Sequence, residues 1–132
     1  MTFPVGNALS PKGSATDTGD LIIWNNRFFT VTRGAVQASS SGNNEIVAAE
    51  SGKRVLLLAY NLMSNGIVNA AWRSGATTVI GGRGFFTEAG RGKVVPYNPK
   101  GWAITASGEA LNLNLSAAIA VEGEAVWAVV PA

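Results

Sequence analysis

Two glycine-flanked basic runs, Gly81-Gly82-Arg83-Gly84 and Gly90-Arg91-Gly92-Lys93, hold the residue types of a phosphate-cradling loop. Their spacing excludes that chemistry. Lys93 is followed by Val94 instead of Ser or Thr, and the first glycine of such a loop would fall on Thr87. Neither run opens a helix, so no helix dipole would meet an anion there. The runs read as two flexible turns around a Phe85–Thr87 strand, with exposed arginines suited to bidentate contact with a protein partner's carboxylates.

Other candidate chemistry is similarly thin. Glu122 and Glu124 flank Gly123 and share one face of a strand. Paired carboxylates can run glycoside hydrolysis, but like charges on a short segment are ordinarily solvated or matched by Arg or Lys. Asp17 and Asp20 lack the further carboxylates and the loop pattern of a calcium site. Serine is frequent, yet there is no histidine and no Ser-x-x-Lys arrangement to activate it. Asn114-Leu115-Ser116 matches a glycosylation sequon but falls in an expected strand. The absence of Cys and His removes disulfides, thiolate nucleophiles, zinc sites and imidazole bases together. The expectation is therefore a chain that is not an enzyme and uses no cofactor or metal.

The elements that position these residues are strands. Leu111, Leu113 and Leu115 alternate with Asn112 and Asn114, the period-two pattern of a sheet with one apolar and one amide face. Val, Ile, Thr and aromatic residues recur in short runs broken by Gly, Ser and Asn, the composition of an all-β sandwich or barrel. Strands are expected at Leu21–Trp24 and Arg27–Arg33, joined by a turn at Asn25-Asn26. Lys53–Met63 and Ile67–Arg73 flank Asn65-Gly66, the dipeptide suited to a two-residue type I′ hairpin, which would place Tyr60 opposite Ala71 and Ala59 opposite Trp72. Further strands are expected at Thr77–Ile80, Gly84–Thr87, Lys93–Tyr97, Trp102–Thr105, Ala110–Leu115 and Ala125–Val130. Pro96 and Pro99 bracket a bend, while 116–123 fits either an extended loop or a bulged start to the last strand.

At 132 residues the chain matches one domain. Residues 1–20 are rich in Pro, Gly and Ser but carry Phe3, Val5 and Leu9, which suggests an extended arm lying on a neighbour. The polar stretch 34–44, after a short strand at Ala35–Ala38, suggests a boundary: 1–44 as an N-terminal arm with attachment strands, 45–132 as the β-sandwich body. Charged residues are 14% of the chain against about 25% in ordinary domains, while hydrophobic residues are 47%. So little charge for the outer surface points to self-association. Net charge is −1 over residues 1–52, +6 over 53–100 and −3 over 101–132. The bases are dispersed without stacking aromatics between them, so no nucleic-acid partner is expected. No apolar run is long enough to span a membrane, and Met1–Gly6 lacks the pattern of a signal peptide. The four tryptophans, Trp24, Trp72, Trp102 and Trp127, read as core or interface anchors, with sugar stacking the alternative.

Gly101-Trp102, Thr105 and the run Gly108-Glu-Ala-Leu-Asn-Leu-Asn-Leu-Ser-Ala-Ala-Ile-Ala-Val121 resemble the C-terminal signature of small structural proteins of tailed-bacteriophage virions, of the capsid decoration or cement type. Ile46–Ala49, Ser51–Leu58, Arg73-Ser-Gly75 and Val95-Pro-Tyr-Asn-Pro99 are similar too, so the resemblance covers roughly residues 45–130. It implies a jelly-roll β-sandwich, made in the host bacterial cytoplasm and displayed as homotrimers on the capsid surface, bound to the major capsid protein; the arm in residues 1–44, expected from composition, lies outside the resemblance. On that reading Phe3, Val5, Leu9, Lys12, Arg27 and Arg33 are candidates to contact the capsid. Asn112, Asn114, Trp102 and Tyr97 are candidates for the subunit interface. The competing readings are a tail- or fibre-associated module and a carbohydrate-binding domain using Trp72 or Trp102 as its platform; a host glycan has no specific support.

Overall fold

The computed structural model describes residues 17–132, so Phe3, Val5, Leu9 and Lys12 lie outside the described residues. The described chain is all-β, with strands β1 (Asp17–Trp24), β2 (Arg27–Ala38), β3 (Gly42–Val47), β4 (Lys53–Ser64) and β5 (Val68–Ser74), then β6 (Thr78–Phe86), β7 (Gly92–Val95), β8 (Ala103–Ile104), β9 (Leu111–Leu115) and β10 (Val121–Pro131). One sheet runs β1-β2-β10-β4-β7, with β8 also paired to β4, and the other runs β3-β9-β5-β6. Every pairing is antiparallel. The nested partners β2 with β10, β3 with β9, β4 with β7 and β8, and β5 with β6 make one long ribbon rolled into two sheets. That is a jelly-roll sandwich.

The Leu/Asn alternation behaves as its period requires. Leu111, Leu113 and Leu115 are buried between the sheets with Trp72, Val68 and Phe86, facing Val36, Leu57 and Val121 of the other sheet. Asn112 and Asn114 point to the opposite face. β4 is different, because Val55 to Leu58 are all buried. Val55 and Leu57 join the inter-sheet core, while Leu56 and Leu58 join a second cluster with Ile22, Val31, Ala128 and Val130. A strand buried on both faces needs an unbroken apolar run. The pairing with β10 slips between Leu57 and Ala59, and this bulge inverts the alternation. Tyr60, Leu62 and Ser64 therefore return to the core side.

Several expected features are corrected. Asn65-Gly66 is no hairpin turn: β4 pairs with β10, β7 and β8, whereas β5 lies in the other sheet beside β9 and β6. Neither Asn65 nor Gly66 has positive φ, and Ser64 and Asn65 donate their backbone N–H groups to Arg91 O and Ala120 O. The segment is a corner between sheets, chosen because β4 must sit centrally to bury both faces. The short strand expected at Ala35–Ala38 is present but is no separate element: β2 runs on through Arg33 and Gly34, stays paired to β10 as far as Ala38, and buries Val36 there. The Trp127 ring lies over Gly34, leaving no room for a Cβ. The boundary expected at 44/45 falls inside β3, so the strands before it belong to the same sandwich. Gly81–Gly84 lies within β6, where it forms a bulge instead of a turn, and the two strands expected around it are one. The strand expected at Trp102–Thr105 reduces to Ala103–Ile104, and the 116–123 ambiguity resolves as a loop leading into β10 at Val121.

Candidate functional site

Among the described residues, exposed groups capable of recognition lie on at least three surfaces. The first is the β1–β2 ribbon. Its turn is a two-residue loop with φ of 50° at Asn25 and 62° at Asn26, the left-handed pair of a type I′ turn that matches strand twist. The register sets Ile23 opposite Phe28 and Leu21 opposite Thr30. Leu21, Ile23 and Phe28 thus share one face, and they are 42, 64 and 67% exposed. Farther along β2 this same face enters the core through Val36 and Ala38. The apolar face thus runs out past the second sheet and continues into solvent. Arg27 and Arg33, two of the expected contact residues, are exposed on the opposite face of the ribbon, and the Arg27 guanidinium sits 5.6 Å from the centre of the Phe29 ring.

The second surface is the segment after β7. Pro96 and Pro99 end the strand, and Trp102 donates its indole N–H to Pro96 O at 2.7 Å. Tyr97 and Trp102, both about half exposed, are brought together on this bend. Trp102 also lines a shallow depression with Trp24, Leu56 and Gly101, which places the bend beside β1. Partial burial, and then the negative charge of Asp20, hold the Tyr97 phenol above its ordinary range.

That shift has a consequence for alkaline stability. The unfolded phenol ionises near pH 10, at about its ordinary value. Above this pH the folded chain keeps a proton that the unfolded chain has released, so raising pH favours unfolding. Tyr97→Phe is expected to make the alkaline fall in urea midpoint shallower, and a fall of unchanged steepness would contradict the assignment. The effect is small, because the group is half exposed.

The third surface is the outer face of β3-β9-β5-β6. Asn112 is buried there and donates to Gly75 O at 2.8 Å, and Asn114 donates to Asn43 Oδ1 at 2.9 Å. Both amides thus knit the sheet itself, and they lie on a different sheet from Tyr97 and Trp102. The four residues expected at one interface form two separate places. The Gly-Arg runs, by contrast, are brought side by side across the edges of β6 and β7: Arg83, Arg91 and Lys93 line a hollow of about 380 Å³ with Phe85. Lys93 Nζ donates to Arg83 O at 2.9 Å, and Arg91 meets Glu88 at 2.7 Å. Glu122 and Glu124 are both exposed on β10, with Met63 and Asn61 as cross-strand neighbours.

Trp72 is completely buried and unable to serve as a sugar platform. The exposed aromatics that composition did not single out are Phe28 and Phe85. Strict alternation within their strands was the available signal, but the strand partners that leave them uncovered are non-local. Comparison with protein-family models, curated proteins and solved structures returns no match.

Proposed function

We propose that this chain is a structural protein of a bacteriophage virion, a capsid decoration or cement protein that docks as a homotrimer on the lattice of the major capsid protein and stabilises it. The supporting observation is the apolar ribbon: Leu21, Ile23 and Phe28 lie contiguous and solvent-exposed on a two-stranded projection of a rigid sandwich. Exposed apolar patches of this kind mark protein contact surfaces. Jelly-roll architecture recurs in viral shells, although fold alone does not fix a function. A cement protein requires a stable body and contacts that repeat. Several weak ribbons on one trimer raise one another's effective concentration, and binding only the assembled shell stabilises that shell by linkage.

The test uses particles assembled without this protein. Purified wild-type chain is expected to bind them at a copy number on the scale of the capsid lattice. Ile23→Ser combined with Phe28→Ser is expected to lower affinity by at least about tenfold, since full burial of each side chain is worth about 1.5–3 kcal/mol. Both residues are exposed, so the melting temperature of the variant should stay near wild type. Unchanged occupancy by the variant, or only a few copies per particle, would reject the proposal.

A further inference from the structure

We propose that the outer face of the β3-β9-β5-β6 sheet binds an acidic polysaccharide, with a pit over Ala71 holding one uronate-type pyranose. The register builds this pit. Ala71 is the small residue on its face of β5, with Asn69 and Arg73 two positions to either side. Asn114 stands across on β9, while Phe85 and Val79 of β6 stand opposite Asn69 and Arg73. A methyl floor inside a ring of longer side chains leaves a hollow of about 180 Å³, also reached by Arg83 and Ser116.

The chemistry around the hollow fits a carboxylated sugar. Neither the Asn69 side-chain amide nor the Arg83 guanidinium has a hydrogen-bond partner among the described residues. Asn114 commits its NH₂ to Asn43, which leaves its carbonyl oxygen as an acceptor. Ser116 Oγ accepts from Asn69 N, which leaves its hydroxyl hydrogen to donate. Arg73 has Nη1 on Ala76 O, while its Nε is buried without a partner among the described residues. Amides and a hydroxyl suit the alternating donors and acceptors of a sugar ring, and a guanidinium suits its carboxylate. Phe85, 68% exposed, offers a ring face to the apolar side of the pyranose.

The site continues beyond one sugar. Arg83 and Phe85 also line the hollow shared with Arg91 and Lys93, so Phe85 is a ridge between two adjoining hollows. Arg73, Arg83, Arg91 and Lys93 therefore follow one track across the β6 edge. Glu88 lies at its far end, already paired with Arg91, and Glu45 of β3 lies on this same face, in register with Asn112 and through it with Arg73, at the end of the track away from Arg83. A repeating acidic sugar matches this spacing of charge and aromatic surface better than a nucleic acid, which would require several stacking aromatics.

The test measures binding to the full chain by titration calorimetry, with oligogalacturonate and oligoglucuronate as probes. Neutral gluco-oligosaccharide, oligoglutamate and single-stranded DNA serve as comparators. An acidic oligosaccharide is expected to bind, more weakly as salt rises. Ala71→Leu, which fills the pit from the solvent side, and Phe85→Ala should each weaken it by about tenfold or more. Arg83→Gln should remove the preference over the neutral sugar, and all three variants should keep the wild-type melting temperature and particle occupancy. Failure of both uronates to bind, equal binding of oligoglutamate or DNA, or an Ala71→Leu variant that binds like wild type would overturn the proposal. Because occupancy is a separate readout, loss of sugar binding leaves the docking proposal standing.

Discussion

Trp72→Ala is expected to remove about 3–5 kcal/mol of folding stability, the range for emptying a large aromatic site in a core. Trp72 is fully buried at the centre of β5, between Leu113 on β9 and the bulge of β6. It also meets Tyr60 of the other sheet edge-on, with ring centres 5.3 Å apart. It is therefore a direct tie between the sheets, and backbone collapse cannot fill the space because both sheets are held by their own ladders. A domain of this size has about 5–15 kcal/mol in total, so the variant should fold with a sharply lowered urea midpoint and an unchanged slope. Trp72→Phe should cost much less. The indole Nε1 has no hydrogen-bond partner among the described residues, so the phenylalanine variant loses volume and no hydrogen bond. Equal costs for the two variants would show that emptied volume does not set the cost.

Gly82→Ala is expected to destabilise by about 2–5 kcal/mol, in two separable parts. Gly82 has φ of +68°, a conformation that costs an L-residue about 1–2 kcal/mol. In addition, a Cβ there would overlap Trp72 Cδ1 and approach Tyr60 Oη to 2.8 Å, an overpacking that costs about 1–3 kcal/mol. Gly108 separates these parts: its φ is +75°, and a Cβ would meet nothing within 4 Å. Gly108→Ala should thus show the backbone cost alone. Adding Gly82→Ala to Trp72→Ala should likewise cost little beyond that backbone part, because the clashing indole is gone and the Tyr60 ring can shift into the space it leaves. Additive costs would mean that the bulge does not exist to admit Trp72.

These two residues also mark where local reading stops. Gly81–Gly84 looked like a flexible turn because glycines punctuate chains. In the fold the same glycines keep β6 paired while making room for an indole from β5. Asn65-Gly66 had the strongest local hairpin signal, yet the chain crosses to the other sheet there. A dipeptide's turn preference is worth little beside the burial of four consecutive side chains, Val55 to Leu58, and their demand for a central strand with cover on both faces. Stretch 34–44 looked like a domain boundary on polarity, although the short strand legible at Ala35–Ala38 already spaced Val36 and Ala38 to face a core. For the candidate site, Asn114 and the arginines were visible as chemical groups, whereas Asn69, Ala71 and Phe85 were not. An alanine becomes the floor of a pit only when strands distant in sequence raise longer side chains around it.

The sequence by itself determined that this protein is made of strands, which faces of them are apolar, and which reactive groups it lacks. Those properties follow from side-chain identity and the two-residue period of an extended backbone, both of which are local. Only the tertiary structure decided which strands are neighbours. That choice separated Asn112 and Asn114 from Tyr97 and Trp102, buried Trp72, joined the two Gly-Arg runs, and left Leu21, Ile23 and Phe28 uncovered. The physical reason is that strand pairing minimises exposed apolar area over the whole chain, and no window of neighbouring residues contains that sum.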